Sequence, residues 1–292
     1  MIDSEHPHAG RGLGALRLVE GADLSSIDAH LAHLARLNRR PGTIRQRRWA
    51  LLRLERFLHP HPINDANVDQ LRAFLDRKPY AAETMASQTI HVCRYYQWLA
   101  REGHRFDDPT VRLEKPARTV RLPRPMPDEY VTRALHEAPE PIRSWFYLAA
   151  YAGLRACEIG PIRGEDIVGN RLIIREQKGG DMATVPLSPI LLPLVARYPR
   201  KGWWFPHRGR GPKGPTSAGQ VQRHANHWLH DHDIDHTLHT LRHWFGTQVY
   251  RQTRDLKLTQ ELMRHRSSAS TDGYVKLSPG DGDDAVGLLP AM

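Results

Sequence analysis

Three short spacings stand out in this 292-residue chain: Arg155 three residues before Glu158, His239 three before Arg242, and Tyr274 nine after His265. Between the first two pairs lies Lys178, beside Gly179-Gly180. Opening a phosphodiester without a metal needs a nucleophile, fixed cations around the pentacoordinate transition state, and an acid for the departing oxygen. All three kinds of group are present. A guanidinium stays charged and presents paired donors to two phosphate oxygens, so Arg155 and Arg242 suit a phosphate clamp better than lysines would. Glu158, one helical turn from Arg155, is expected to orient that guanidinium or a neighbouring histidine. His239 and Arg242 share one helix face and can reach the same phosphate. A phenol with a reference pKa of about 10 is a poor nucleophile by itself, and two nearby guanidinium groups favour its phenolate, which would ease attack by Tyr274. Lys178 is suited in kind to protonate the leaving 5′ oxygen, and His265 to donate to a non-bridging oxygen.

The elements that must carry these groups follow from periodicity. Apolar residues at helical spacing over 24–37 and 43–58, with Arg45, Arg47, Arg48, Arg53 and Arg56 among the second set, predict amphipathic helices with a basic outer side. Asn67 is positioned to cap a third helix through Phe74 and Leu75, and a fourth runs from Ser87 to a stop at Gly103. No strand signal occurs here, so 21–106 reads as an all-α domain behind a flexible lead at 1–20. Prolines 109, 116, 123, 125 and 127 alternate with Arg112, Lys115, Arg118, Arg121 and Arg124, which marks 107–127 as a stiff basic linker. Beyond it, Asp128 opens a helix, 142–154 reads as a largely buried one, and the break at Gly153-Leu154 presents Arg155 where main-chain amides can also face an anion. The period then changes to two, and the runs 171–175 and 183–187 around Gly179-Gly180 predict a β-hairpin with Lys178 at its tip. Helices resume near Ser217, over 238–250 and over 259–263. The catalytic domain so defined spans 128–276, with a tail at 277–292. The fold class is mainly α with a small β-hairpin sheet.

Lys and Arg number 42 against 32 Asp and Glu, a net charge of +10. This balance suits a polyanion, and 21–106 already holds six more cationic than acidic side chains. Arg45, Arg47, Arg48, Arg121 and Arg124 are therefore the candidate DNA-backbone contacts. Two cysteines, Cys93 and Cys157, exclude a disulfide framework or a structural zinc site and read as small core residues. The first residues lack an apolar signal segment, and no run approaches the roughly 18 apolar residues of a membrane span. A cytoplasmic protein without membrane attachment is expected.

Each residue also has an ordinary reading. A lone tyrosine is usually a packing or surface group, and Arg155 with Glu158 is a routine helix-end ion pair. His239 and His243 are four apart and lie downstream of His224, His227, His230, His232 and His236, which permits a metal reading. No His-Glu-x-x-His string supports it, so neither a metal nor a cofactor is expected.

The order Arg155, Lys178, His239, Arg242, His265, Tyr274 resembles the tyrosine recombinase family, the family of phage and plasmid integrases. Its pattern is an Arg after Gly-Leu, a hairpin Lys, His-x-x-Arg, a His or Trp, and the nucleophilic Tyr. The resemblance covers most of the chain, from about Asp28 to Tyr274. It extends to the first domain through Thr43-Ile44-Arg45 and Tyr95-Tyr96-Gln97-Trp98-Leu99, which are similar to the family's SAM-like core-binding domain. It implies an α+β catalytic domain, site-specific recombination through a 3′-phosphotyrosyl link on Tyr274, and integration or excision of a phage, plasmid or other mobile element. The partners implied are double-stranded DNA attachment sites and a homo-tetramer on DNA in which half the protomers act at a time; an excision-directionality or architectural protein is a further possible partner. Val286, Leu288 and Leu289 in the tail would dock on a neighbouring protomer. One departure is that the family often has Leu-Gly before the penultimate His, where this chain has Met263-Arg264, adding a cation and bulk beside His265. The rival readings are a type IB topoisomerase, a non-catalytic DNA-binding protein on the same fold, and, last, a metallohydrolase.

Overall fold

The computed structural model describes residues 25–114, 124–175, 182–207, 209 and 213–264. The chain forms two compact units, Met1–Val120 and Arg121–Met292.

In the first unit four helices pack together: α1 (Ser26–Arg36), α2 (Pro41–Leu58), α3 (Val68–Asp76) and α4 (Ala82–Arg101). Helix α2 starts two residues earlier than its apolar period, because Pro41 occupies the first turn with its φ already set. Asn67 caps α3 as expected, accepting from the Gln70 N–H at 3.0 Å while the Gln70 side chain accepts from the Asn67 N–H at 2.9 Å. Helix α4 begins at Ala82, five residues ahead of Ser87, since Ala, Glu and Met are good helix formers without any buried stripe. Leu51, Leu54, Leu71, Phe74, Tyr96 and Leu99 are buried at its centre. Burial of each such side chain contributes about 1.5–3 kcal/mol, so this core holds the unit without a strand.

The structure corrects two expectations here. Arg47 is not on the basic outer side of α2. It is 6% exposed, donating through Nε to His91 Nδ1 at 2.9 Å and through Nη1 to His30 Nε2 at 3.2 Å. Residue 47 precedes Ala50, Leu51, Leu54 and Leu58 by 3, 4, 7 and 11 positions, which is the buried stripe of the helix. Its position faces the core, so it is withdrawn as a DNA contact, whereas Arg45 and Arg48 are exposed. The expected 107–127 linker is also too wide. Pro109 and Thr110 are buried, Leu113 joins the first core, and Met126 is 1% exposed in the second. Proline marks irregular backbone, which packs as readily as it links.

Arginine only donates, so His91 and His30 must present bare ring nitrogens to Arg47. Burial first, then the Arg47 charge, pulls His91 down to about 4 and His30 to about 3. Imidazoles in the unfolded chain take protons below about pH 6.5, while these resist until about pH 4, so stability falls with pH through that window. His91→Gln keeps an acceptor for Arg47 but removes one titration. A denaturant midpoint followed against pH should fall less steeply in this variant than in the parent; equal slopes would disprove the assignment.

The second unit comprises α5 (Asp128–Glu137), α6 (Ile142–Tyr151), α7 (Ala156–Ile159), strands β1 (Ile167–Val168), β2 (Arg171–Ile174) and β3 (Ala183–Pro186), then α8 (Leu192–Arg197), α9 (Ala218–Asp231), α10 (Leu238–Thr253) and α11 (Leu256–Leu262). The strands form an antiparallel sheet in the order β1-β2-β3, with Leu172 opposite both Ile167 and Val185. The two long strands match the expected hairpin; β1, two residues long, has too little period to be seen in sequence. Helix α6 is the centre of this unit. Its Trp145, Phe146, Leu148 and Ala149 are buried, and it packs on α5, α9 and α10. Cys157 is exposed, contrary to its reading as a core residue, while Cys93 is buried. Among the described residues no helix is long and apolar enough to cross a membrane.

Candidate functional site

Helix α6 stops at Tyr151, three residues before the expected end, because Gly153 turns into the left-handed region at φ +58°. The turn folds Leu154 back, its N–H donating to the Leu148 carbonyl at 3.2 Å. A β-carbon on Gly153 would lie 2.5 Å from Phe245 Cδ1, so both the turn and the approach of α10 require glycine. Arg155 follows at the entrance to α7, where Glu158 reaches back and accepts from the Arg155 main-chain N–H at 2.9 Å. The same carboxylate accepts from Arg155 Nη1 at 2.8 Å. Glu158 thus fixes both the main chain and the side chain of Arg155.

Helix α10 brings His239 and Arg242 to this turn. Arg242 is 1% exposed; Nη1 donates to the Gly153 carbonyl, Nη2 to the Met263 carbonyl, and Nη1 lies 3.9 Å from Glu158 Oε2. His239 and Arg155 line one concavity of about 230 Å³ together with Cys157, Ala218 and Gln222. Ala218 opens α9 and Leu238 opens α10, so the first turns of both helices also face it with their positive dipole ends. One permanent cation, an imidazole and two helix N-termini around a small open cavity make a site for an anion with several oxygens.

Burial, then Arg242 and Arg155, lowers the pKa of His239, so its ring is neutral at pH 7 and able to accept a proton. Its neighbour His243, in edge contact at 4.5 Å between ring centroids, is drawn down to about 4 by burial, His239 and Arg242. Glu158 moves the other way from what burial alone dictates. Desolvation raises it, but Arg264, Arg242, the Arg155 N–H and the Arg155 guanidinium together hold it below the usual carboxylate range.

Arg264 stands in the sequence reading only as a departure that adds a cation beside His265, with no role in the site. Its side chain is 4% exposed and donates through Nη2 to Glu158 Oε2 at 2.8 Å and to the Gly153 carbonyl at 2.7 Å. The signal that could have found it was its place beside His265, although nothing in sequence links it to Glu158. Of the expected site residues, the fold therefore gathers Arg155, Glu158, His239 and Arg242. Lys178, His265, Tyr274 and Arg121 lie outside the described residues, as do the tail and the lead. Arg124 is exposed and sits 3.7 Å from Asp235; Arg48 sits 3.6 Å from Asp28. These are solvent-screened pairs, which leave both arginines available to phosphate at little cost.

The other histidines disperse: His227 faces Asp231 at 3.4 Å, His232 stacks on Trp228 at 4.0 Å, and His236 meets the Tyr130 ring at 5.9 Å. Among the described residues no three His, Cys, Asp or Glu side chains are grouped to hold a metal ion.

Residues 126–280 match the family described as the Phage integrase family, and residues 27–103 match the Phage integrase N-terminal SAM-like domain. The chain is similar to the tyrosine recombinase XerC of Chromobacterium violaceum, with 26% identity over 279 residues, covering 86% of this chain and 90% of that one. It is also similar to the tyrosine recombinase XerD of Vibrio cholerae, with 25% identity over 238 residues, covering 74% and 78%. Among solved structures, lambda integrase bound to DNA shares the fold at a TM-score of 0.69 and 18% identity, covering 88% of this chain and 97% of that one. The XerH recombinase in a post-cleavage complex with a palindromic difH substrate does so at 0.65 and 16%, covering 89% and 84%.

Proposed function

The chain belongs to the phage integrase family and is a tyrosine-type recombinase that breaks and rejoins DNA strands, and from that premise we propose that it acts at attachment sites through a 3′-phosphotyrosyl link on Tyr274, integrating or excising a mobile element. The observation that carries the reading is that Arg155 and His239, from two elements, line one anion-sized concavity, while buried Glu158 and Arg242 hold the turn that presents Arg155.

In the proposed reaction the scissile phosphate sits against Arg155 and Arg242, whose guanidinium groups stabilise the charge that develops on its oxygens. The Tyr274 oxygen attacks phosphorus while neutral His239 accepts the phenolic proton. The bond from phosphorus to the 5′ oxygen breaks, and Lys178 gives that oxygen its proton. His265 donates to a non-bridging oxygen. The aryl phosphodiester retains the bond energy, so a 5′ hydroxyl reverses the step and reseals a strand without ATP. The proposal includes a tetramer of this chain on two duplexes, in line with the lambda integrase tetramer solved on a Holliday junction, and a cytoplasmic setting where such DNA is reached.

The test selects a bound duplex from a randomised library, nicks it beside the candidate cleavage point so that the freed fragment diffuses away, and separates the products on a denaturing gel. A protein–DNA adduct whose peptide maps to Tyr274, joined to a 3′ phosphate, is expected. Sequence-selective binding without an adduct would instead make this a DNA-binding protein on a recombinase fold. Adduct formation on one duplex without exchange between two would make it a topoisomerase.

Exposed Arg45 and Arg48 on α2 are proposed to contact the DNA backbone. Replacing both with glutamine should weaken binding on every sequence alike and reduce the slope of log affinity against log salt by up to about 2. An unchanged slope would remove them from the interface.

A further inference from the structure

Arg264 lies two residues beyond the end of α11, in a conformation arginine seldom adopts. Its φ of 52° lies in the left-handed region, which is strained for a residue with a β-carbon. Its guanidinium is also buried, and desolvation lowers its pKa even against the Glu158 carboxylate. Both costs fall on a residue whose side chain then does something specific. Nη2 bridges Glu158 Oε2 and the Gly153 carbonyl, and Nη1 turns back to the Leu262 carbonyl at 2.8 Å. Arg264's own carbonyl accepts from Arg155 Nη2 at 3.2 Å, while the carbonyl of Met263 accepts from Arg242 Nη2. The last residues of this segment are therefore bonded to both site arginines through their main chain and to the shared carboxylate through one side chain.

We infer that Arg264 is a positioning residue of the recombination reaction: by occupying Glu158 Oε2 and the Gly153 carbonyl, it fixes the orientation of Arg155 and Arg242 toward the scissile phosphate. The inference rests on the proposed function. Geometry explains how it works. Glu158 Oε2 is 2.8 Å from Arg264 and 3.9 Å from Arg242, so Arg264 takes the direct bond and Arg242 is held by carbonyls instead. Without Arg264, Arg242 and Arg155 would compete for one carboxylate, and Arg242 would turn toward it and away from its present bonds. Arg264 is also the largest of the cationic influences that keep Glu158 ionised against burial, ahead of Arg242 and Arg155. Its side chain is 4% exposed, so in this scheme it acts through Glu158 and the Gly153 carbonyl.

The test is single-turnover cleavage of the selected nicked duplex by the full chain at saturating protein, in Arg264→Gly, Arg264→Lys and the parent. Glycine suits the left-handed backbone and removes only the side chain. The expected result is a cleavage rate constant roughly tenfold to a hundredfold lower in Arg264→Gly, with DNA affinity within about twofold of the parent and partial recovery in Arg264→Lys. Adding Glu158→Gln to Arg264→Gly should cost less than the product of the two single losses, because both act on one arrangement. A purely structural arginine would lower the amplitude of the reaction or the melting temperature and leave the rate constant alone. That outcome, or additive losses in the double variant, overturns the inference. If the parent forms no adduct on the duplex it selects, the functional reading fails first and this inference with it.

Discussion

Tyr274→Phe should bind the selected DNA site with unchanged affinity and form no covalent adduct. Phenylalanine keeps the ring but has no oxygen to bond phosphorus, so the phosphotyrosyl route is closed rather than slowed. Loss of at least roughly 10⁴-fold in adduct yield is expected, as for nucleophile removal in enzymes that act through a covalent intermediate. Binding should be preserved because affinity for DNA comes from phosphate contacts spread over the basic surface, and it must be compared at one salt concentration. An adduct of normal yield in the phenylalanine variant would place the nucleophile elsewhere and remove Tyr274 from the mechanism.

The second large effect is expected at Arg155. Its guanidinium divides its donors between Glu158 Oε1 at 2.8 Å and the Arg264 carbonyl at 3.2 Å, with 30% of the side chain still open toward the cavity. Arg155→Lys retains the charge but offers a single ammonium, which cannot hold both partners and also face two phosphate oxygens. Strand cleavage should fall roughly 10²–10³-fold, the cost of losing one aimed donor to a transition-state oxyanion. Thermal stability should change little, because Glu158 keeps its bonds from the Arg155 N–H and from Arg264. Cleavage within about threefold of the parent would mean that the charge alone matters there and that the clamp is misassigned.

Much of this was legible in the sequence because the signals were local. Asn67 and Ser217 cap their helices with Gln70 and Gln220, and the change from helical to alternating period located β2 and β3. Arg155 with Glu158, and His239 with Arg242, are neighbours within one helical turn, so their pairing needed no knowledge of the fold. The failures have the opposite character. Arg47 lies on the apolar stripe of α2, where helical arithmetic points inward, but its charge argued for the surface. Only the two histidines that accept from it, 17 and 44 residues away, make its burial tolerable. Arg264 joins Glu158 across 106 residues, and no periodicity encodes such a bond. The ends of the linker show the same thing, since Leu113 and Met126 belong to two different cores that composition does not reveal.

The bonds between the 153–158 turn and residues 262–264 also make the site depend on a distant stretch of the chain. The partners of Arg155 on Met263 and Arg264 are 108 and 109 residues away in sequence, and Arg264 meets the Gly153 carbonyl across 111. Contacts of that separation carry a large loop-closure entropy, unlike those within the local helices and the sheet. A nascent or truncated chain that has folded α6 and α10 but lacks residues 262–264 thus carries two arginines without the frame that aims them. DNA-cutting competence depends in this way on residues that follow both arginines in the chain.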